Sequence, residues 1–410
     1  MSAMDNTAAA AFLKTRFTKK AVQDLAYSRH PLLAMISKDT TFGGDSKKIP
    51  LKYAGIKGAS ASFSAAKALK SPSDSVAFLL TTVEDYALFS IKGKTMLQSR
   101  GNENAFYTAL ESETESAMQV ASKRCAMNLY RKSTGTIGQL SASTGLTTET
   151  VYLAYRGQTL NFYKGMQVGV TATDGGPLLG SPSYMEIASV DRDLGTITGT
   201  AHWDDTIASI AVSYFLVPRG DLNIRMSGLL DWVPATAPGA TSYYGVNRSY
   251  DVTALGGHRI TDTGLTLEEK LRRAMARVGE SGGKISHFFI PYDKWEELGS
   301  LLGSRKEYCK NYAVGSDGKP IADIGFEGYR VYGPDGSAEV YADPDCTSEY
   351  GWGLQLDTWT LESTGEVPQI LGLDNNSILR ESDDDAYEGR VGYYANVSCN
   401  APGYNAIISL

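Results

Sequence analysis

The sequence predicts an α+β fold from three observations: a long capped helix over 102–132, a long alternating hairpin before it over 49–94, and a β-rich run after it with only two further helices. In the helix, Asn102 can accept from the first free amides, and Glu103, Glu111, Glu113 and Glu115 place negative charge in the early turns. Lys123, Arg124, Arg131 and Lys132 lie towards the other end, and Gly135 follows as a breaker. Phe106, Leu110, Thr114, Ala117, Ala121, Cys125 and Leu129 recur at steps of three or four and form one narrow stripe. At 1.5 Å per residue such a helix is about 45 Å long, more than a compact domain needs to bury one face. With no bundle partners in the sequence, it reads as a beam.

Residues 1–45 read as an arm. Segments 8–16 and 19–27 can make short helices, and Pro31 then precedes the apolar group Leu32, Leu33, Met35 and Ile36, which must dock on this subunit or on a neighbour. In the hairpin, Leu51 and Tyr53 alternate, as do Ala59, Ala61, Phe63 and Ala65. The chain returns through Val76, Phe78 and Leu80, then Val83, Asp85, Ala87, Phe89 and Ile91. A two-stranded ribbon is marginal in water, so one this long should pack on another surface, and that of another subunit is expected.

After a Ser, Thr and Gly linker over 135–145, residues 148–218 are almost purely β in character, ending in a strand over 207–217. This stretch is expected to be a small β-module set into a host fold; the alternative is that its strands belong to the main sheet. In the α+β stretch 220–338, Thr266 and Glu269 make a capping box before Leu267, Leu271, Met275 and Val278. A short strand follows over 287–290, and Asp293 with Glu296 opens a helix carrying Trp295, Leu298 and Leu302. Segments 389–398 and 406–410 return to strand.

Composition bounds the function. The 410 residues are 42% hydrophobic and 21% charged, with 42 Gly and 24 Tyr, which suits a β-rich globular chain of two or three domains. A net charge of -7 implies no general affinity for nucleic acid. Without a run of about 18 apolar residues or an export signal, the chain is expected to be made in the cytoplasm and to avoid membranes. Cys125, Cys309, Cys346 and Cys399 show no CxxC spacing and are expected to be free thiols.

The search for chemistry assigns no catalytic, cofactor-binding or metal-ligating residue. Gly93-Lys94-Thr95 lacks the earlier glycine of a phosphate-binding loop, since Leu88 stands there. His30, His202, His258 and His287 form no HExxH pair. Asp383, Asp384 and Asp385 with Glu388 read as a solvated turn, and Asp343-Pro344-Asp345 as another.

The order of arm, hairpin, beam helix, α+β region and β return resembles the major capsid proteins of tailed bacteriophages with the HK97 fold. Several phrases agree with that resemblance: Pro31-Leu32-Leu33-Ala34-Met35-Ile36, Gly43-Gly44 before Ile49-Pro50, Gly58-Ala59-Ser60-Ala61-Ser62-Phe63, Arg219-Gly220-Asp221, Met226-Ser227-Gly228-Leu229-Leu230 and Asp385-Ala386-Tyr387-Glu388-Gly389-Arg390. It covers essentially the whole chain, and its weight lies in the order of the phrases.

The resemblance implies an N-arm over 1–45, an E-loop over 46–95, and a P-domain with its spine helix over 96–147. An added β-domain follows over 148–219, an A-domain over 220–337, and a P-domain return over 338–410 whose last strand enters the A-domain. It implies a non-enzymatic head protein without cofactors, assembling as pentamers and hexamers into an icosahedral shell around double-stranded DNA that it does not read by sequence. A portal, a decoration protein and a separate scaffolding protein, or none, are the partners it implies, and the virion is the final location. An encapsulin-like compartment shell is the alternative. Within the E-loop, Phe63, Lys67, Lys70 and Phe78 are assigned to the intersubunit contact. Some relatives cross-link an E-loop lysine to a P-domain asparagine, for which Lys57, Lys67 or Lys70 and Asn396 or Asn400 with Glu388 are the groups in the matching segments; non-covalent adhesion is the preferred expectation.

Overall fold

The computed structural model describes residues 29–93, 103–180, 183–302, 313–314, 320–321, 329–372 and 378–410. The expected helices over 8–16 and 19–27, Cys309, and the side chains of Phe106 and Leu110 lie outside the described residues.

The first sheet is organised by one 14-residue strand, Ala386–Cys399. Along one edge it pairs antiparallel with Val83–Lys92, from Ala386 opposite Lys92 to Ala395 opposite Val83. Along the other it takes three short strands in turn: Ile378–Arg380, Gln369–Ile370 and Trp359–Ser363. Ser37–Asp39 adds to the last of these in parallel. The described part of the arm, from residue 29 onward, therefore docks on its own subunit. Pro31–Met35 is a short helix with Leu32 and Leu33 buried, and Ile36 is buried behind it.

Glu103–Tyr130 is one helix, as the stripe predicts. Ala117, Met118 and Ala121 lie against Val391, with Ala87 and Phe89 beside them, because small side chains let the helix approach the sheet. Towards its end the helix is buried on more than one face: Cys125, Ala126, Leu129 and Tyr130 enter the main core, while Met127 enters another. Two glycines fix that end. Gly228 donates its N–H to the Arg131 carbonyl, and a Cβ there would meet the Asn128, Leu129 and Arg131 carbonyl oxygens at 2.2, 2.4 and 2.6 Å. Gly135 has φ of +81°, and a Cβ on it would lie 2.3 Å from the Asp221 carbonyl oxygen. The basic residues are used individually rather than as a complement to the helix dipole. Lys123 donates to the Leu160 carbonyl at 2.5 Å, and Arg124 enters an ion cluster.

The hairpin expected over 49–94 is corrected. Lys47–Ala54 and Asp74–Leu80 form a two-stranded antiparallel ribbon, but Val83–Lys92 leaves it for the first sheet. Alternation reports that a segment is a strand and not which strand it pairs with. The alternating 59–65 stretch is not a strand either, since Phe63–Ala68 is a short helix. Its Ala-Ala-Lys-Ala run has strong helix propensity, which the period-two reading missed.

The second sheet has the order His258–Ile260, Ala406–Ser409, Tyr350–Leu354, His287–Ile290, Gly336–Ala342, Tyr329–Gly333. The C-terminal strand thus lies inside it, parallel to the first of these and antiparallel to Tyr350–Leu354. Leu267–Glu280 packs on this sheet, opened by the expected capping box: Thr266 accepts from the Glu269 amide, and Glu269 accepts from the Thr266 amide at 2.8 Å. Tyr292–Leu302 is the second helix.

The third sheet is built from residues 138–218 alone. Its order is Gly138–Gln139, Phe215–Pro218, Gln167–Thr171, Met185–Asp191, Thr196–Gly199, Thr150–Tyr152, and every pairing is antiparallel. A bridge between Leu140 and Leu153 joins the two outer strands, with the Ser141 amide donating to the Tyr152 carbonyl at 2.9 Å and the Ala154 amide to the Gln139 carbonyl at 2.8 Å. The six strands therefore close on themselves around Val151, Val168, Val170, Ile187, Ile197 and Leu216. Two expectations change here. The 135–145 linker supplies an outer strand, and the expected last strand shortens to Phe215–Pro218, because Trp203–Thr206 is helical and the chain between is turn. A fragment of residues 134–219 should unfold cooperatively with a β-type circular dichroism spectrum, whereas 148–219, lacking the closing strand, should melt at a lower temperature. Two fragments of equal stability would contradict the closure.

Candidate intersubunit surface

The ribbon has a locked base and an open tip. At the base, Ile49, Leu51, Phe78 and Leu80 are buried in the main core. Phe78 meets Trp232 edge-on at 5.0 Å between ring centroids and Tyr243 at 6.2 Å, and the Leu79 amide donates to the Tyr244 carbonyl at 2.9 Å. The tip, residues 55–73, has no such cover among the described residues. Phe63 is 83% exposed, Ile56 70% and Leu69 56%, and Lys67 and Lys70 are exposed beside them. At about 3.4 Å per residue, the eight residues of Lys47–Ala54 carry that tip about 27 Å along the ribbon. Inside the tip the chain is close-packed, since a Cβ on Gly58 would lie 3.0 Å from the Ala66 carbonyl oxygen and the Lys70 Cα. Lys57 reaches Asp74 at 3.0 Å, an exposed pair of small energetic value.

Of the four residues assigned from the sequence, the structure brings Phe63, Lys67 and Lys70 together on the tip. Phe78 is corrected: it is fully buried within its own subunit, because the base of the ribbon packs on Trp232 rather than on a second chain. Asn396 is also fully buried, donating to the Thr81 carbonyl at 2.7 Å and the Tyr244 hydroxyl at 2.8 Å, so it is not presented to a neighbour's lysine; Asn400 is exposed.

The strand that continues the ribbon is tied down by an ion cluster that sequence reading missed. Asp85 Oδ1 accepts from Arg124 Nε at 2.9 Å, and Asp85 Oδ2 accepts from Arg225 Nη1 at 3.0 Å and from the Tyr393 hydroxyl at 3.0 Å. Asp221 pairs with Arg225 and, at 3.3 Å, with Arg124. Burial disfavours the Arg124 cation, but the carboxylates of Asp85 and Asp221 outweigh it and raise its pKa. One local signal was available: Asp85 stands in the inward-facing series Val83, Asp85, Ala87, Phe89, Ile91, where a carboxylate needs a buried partner.

A second buried cluster holds the arm. Asp343 accepts from the Tyr130 hydroxyl at 2.7 Å and the Leu32 amide at 3.2 Å, and His30 bonds Asp345. Asp343 and Asp345 are 1% and 5% exposed, so Asp343-Pro344-Asp345 is a turn, but a buried one. Burial, with the Asp345 charge added, pushes the Asp343 carboxyl up from 3.8 to about 6 despite those hydrogen bonds. A carboxyl raised in the folded state stabilises the fold fully below its unfolded value and loses that contribution as pH rises through the folded value. Relative to Asp343→Asn, the parent should therefore gain about 2 kcal/mol between about pH 7 and about pH 4.5, read by urea unfolding. Parallel pH profiles for the two proteins would refute this.

Among the described residues, Cys125, Cys346 and Cys399 are free and buried, and burial raises their thiol pKa values. His202, Asp204 and Asp205 bring donor atoms within 4.8 Å of one another, but all three are exposed and no site is assigned to them. No described helix is long and apolar enough to cross a membrane.

No protein-family model matches the chain, and comparison with curated proteins finds no match. Among solved structures, it is similar to "Cyanophage A-1(L) capsid asymmetric unit", with 11% identity and a TM-score of 0.48 over 93% of this chain and 92% of that one. It is similar to "Satellite phage P4 procapsid including size determination (Sid) protein", with 9% identity and a TM-score of 0.42 over 96% and 90%. It is also similar to a virus-like particle from Pyrococcus furiosus, with 8% identity and a TM-score of 0.39 over 95% and 96%. The first two are phage capsid structures.

Proposed function

We propose that the chain is a major capsid protein that assembles, through pentamers and hexamers, into the icosahedral head shell of a tailed bacteriophage and encloses double-stranded DNA. The observation that carries the reading is the ribbon: a base rigidly built into its own subunit and an apolar, lysine-rimmed tip held about 27 Å along it and left uncovered among the described residues. Such a tip gains free energy only when another surface covers it. Repeated on identical subunits, a head-to-tail contact of that kind closes rings when its rotation divides the circle, as the proposed pentamers and hexamers require.

The order of segments in the sequence supports the same reading. Residues 1–45 are then the N-arm, the ribbon and the strand that continues it over 46–95 the E-loop, the long helix and the first-sheet strands of the 338–410 return the P-domain, the 220–337 stretch the A-domain, which the last strand enters, and the closed third sheet is the added β-domain, placed on the outer face. Adhesion between subunits is non-covalent, packaged DNA is held without sequence readout, and no cofactor takes part. Synthesis is in the host cytoplasm and the final location is the virion, with a portal, a scaffolding protein and a decoration protein as further partners.

Electron microscopy of the expressed chain, with the scaffolding protein of the same genome where one exists, should show closed shells. A monodisperse monomer under all such conditions would sink the proposal. Closed shells that fill with a cargo enzyme instead of DNA would favour the encapsulin-like alternative.

A further inference from the structure

The apolar end of the arm is closed over a buried pair of carboxylates. Asp343 and Asp345 stand two residues apart in one turn, with the Asp345 amide donating to Asp343 Oδ1 at 2.9 Å. The arm meets both: the Leu32 amide donates to Asp343 Oδ2, and His30 bonds Asp345. These contacts exist only while the helix Pro31–Met35 keeps Leu32 and Leu33 buried.

The charges around this turn are unevenly shared. From the long helix the Tyr130 hydroxyl bonds Asp343, whereas Lys123 and Arg131 act on Asp345. Cys125 on the helix, with Cys346 and Glu349 beside the turn, are the other titratable groups nearby, and burial keeps both thiols and the Tyr130 hydroxyl neutral. The arm brings His30, and its bond goes to Asp345. Among the described residues no cation hydrogen-bonds Asp343. When ionised, it sits beside a second carboxylate without a counter-charge of its own, and water reaches it when the arm lifts.

We infer that residues 30–36 form a pH-dependent latch, which closes over a protonated Asp343 and lifts more often, on its own, when Asp343 is ionised. The latch ends at Ile36, because from Ser37 the chain is a strand paired with Trp359–Ser363. The Asp343 carboxyl lies at about 6 under the arm and returns towards its ordinary 3.8 once water reaches it. Closure is therefore favoured most below about pH 4, and that advantage is lost as pH rises through about 6. Shell formation plays no part in this, and the unassembled subunit suffices for the test.

Native-state amide hydrogen exchange of the full chain, for the parent and for Asp343→Asn, provides it. Amides of residues 30–36 should exchange faster than those of Ala386–Cys399 at every pH. The opening of the latch in the parent, divided by that in the variant, should rise about tenfold from about pH 5 to about pH 7.5. Latch amides that exchange in step with the long strand would mean that the arm opens only with the whole subunit, and a ratio that moves less than about twofold would remove Asp343 from the latch. Either result overturns the inference. Should Asp343→Asn fail to fold, the rates of the parent, each divided by the intrinsic amide rate at that pH, must show the same rise.

Discussion

Asp85→Ala should lower the stability of the folded subunit by about 3–5 kcal/mol, the range expected when one partner of a buried ionic group is removed. Asp85 and Arg225 have side chains only 6% and 4% exposed, and Asp85 is the acceptor shared by Arg124, Arg225 and Tyr393. Truncating it leaves two guanidinium groups with Asp221 as the one carboxylate of the cluster and the neutral Asn128 Oδ1 accepting from Arg225 at 3.2 Å. The damage is shared by three elements, because Arg124 lies on the long helix, Arg225 in the turn after the third sheet, and Tyr393 on the longest strand. Asp85→Asn, which keeps the hydrogen-bond acceptor on one side and loses the charge, should cost less. Urea unfolding at neutral pH measures both. A loss for Asp85→Ala below about 1 kcal/mol, the value of an exposed pair, would mean that the cluster is solvated and does not hold the strand.

The second large effect separates the two ends of the ribbon. Phe78→Asp removes a fully buried ring, worth about 3–5 kcal/mol on truncation alone, and adds a carboxylate among Trp232, Tyr243 and Leu80. The sum rivals the whole stability of an ordinary domain, about 5–15 kcal/mol, so this chain should fail to fold. Phe63→Asp acts on a side chain that is 83% exposed and should change subunit stability by less than about 0.5 kcal/mol. Its effect should fall on assembly: soluble, folded subunits that form no shells, judged by circular dichroism and electron microscopy together. Normal shells from Phe63→Asp would remove the tip from the contact, and a folded Phe78→Asp would contradict the buried base.

Local signals in the sequence were read well. The capping box at Thr266, the apolar cluster after Pro31, the long helix and the terminal strands all follow from neighbours within a turn or two of chain. What escaped depends on residues far apart. The contacts of Asp85 with Arg124 and Arg225 span 39 and 140 positions, and that of Arg124 with Asp221 spans 97, so no window over the sequence brings them together. The parting of the chain after Leu80 is of the same kind, since Val83–Lys92 finds its partner about 300 positions later, in Ala386–Cys399. The candidate surface divided along this line. Phe63 is exposed where local composition placed it, whereas the fate of Phe78 was decided by Trp232.

The Leu140–Leu153 bridge has a consequence for crowding. An open six-stranded sheet ends in two rows of unpaired amides and carbonyls, each a template on which a neighbouring copy can add a strand. Wherever many copies of this chain are held side by side, that liability grows with every copy, and a few exchanged strands would weld neighbouring units into aggregates. The ring of six strands offers no such template. What it presents between strands are turns such as Asp191–Leu194, where the Asp191 carboxylate accepts from the Asp193 and Leu194 amides and Leu194 points outward, 67% exposed. Such turns tolerate longer or foreign loops without disturbing the strands beneath, which makes this unit the natural place to graft a peptide for dense, ordered display.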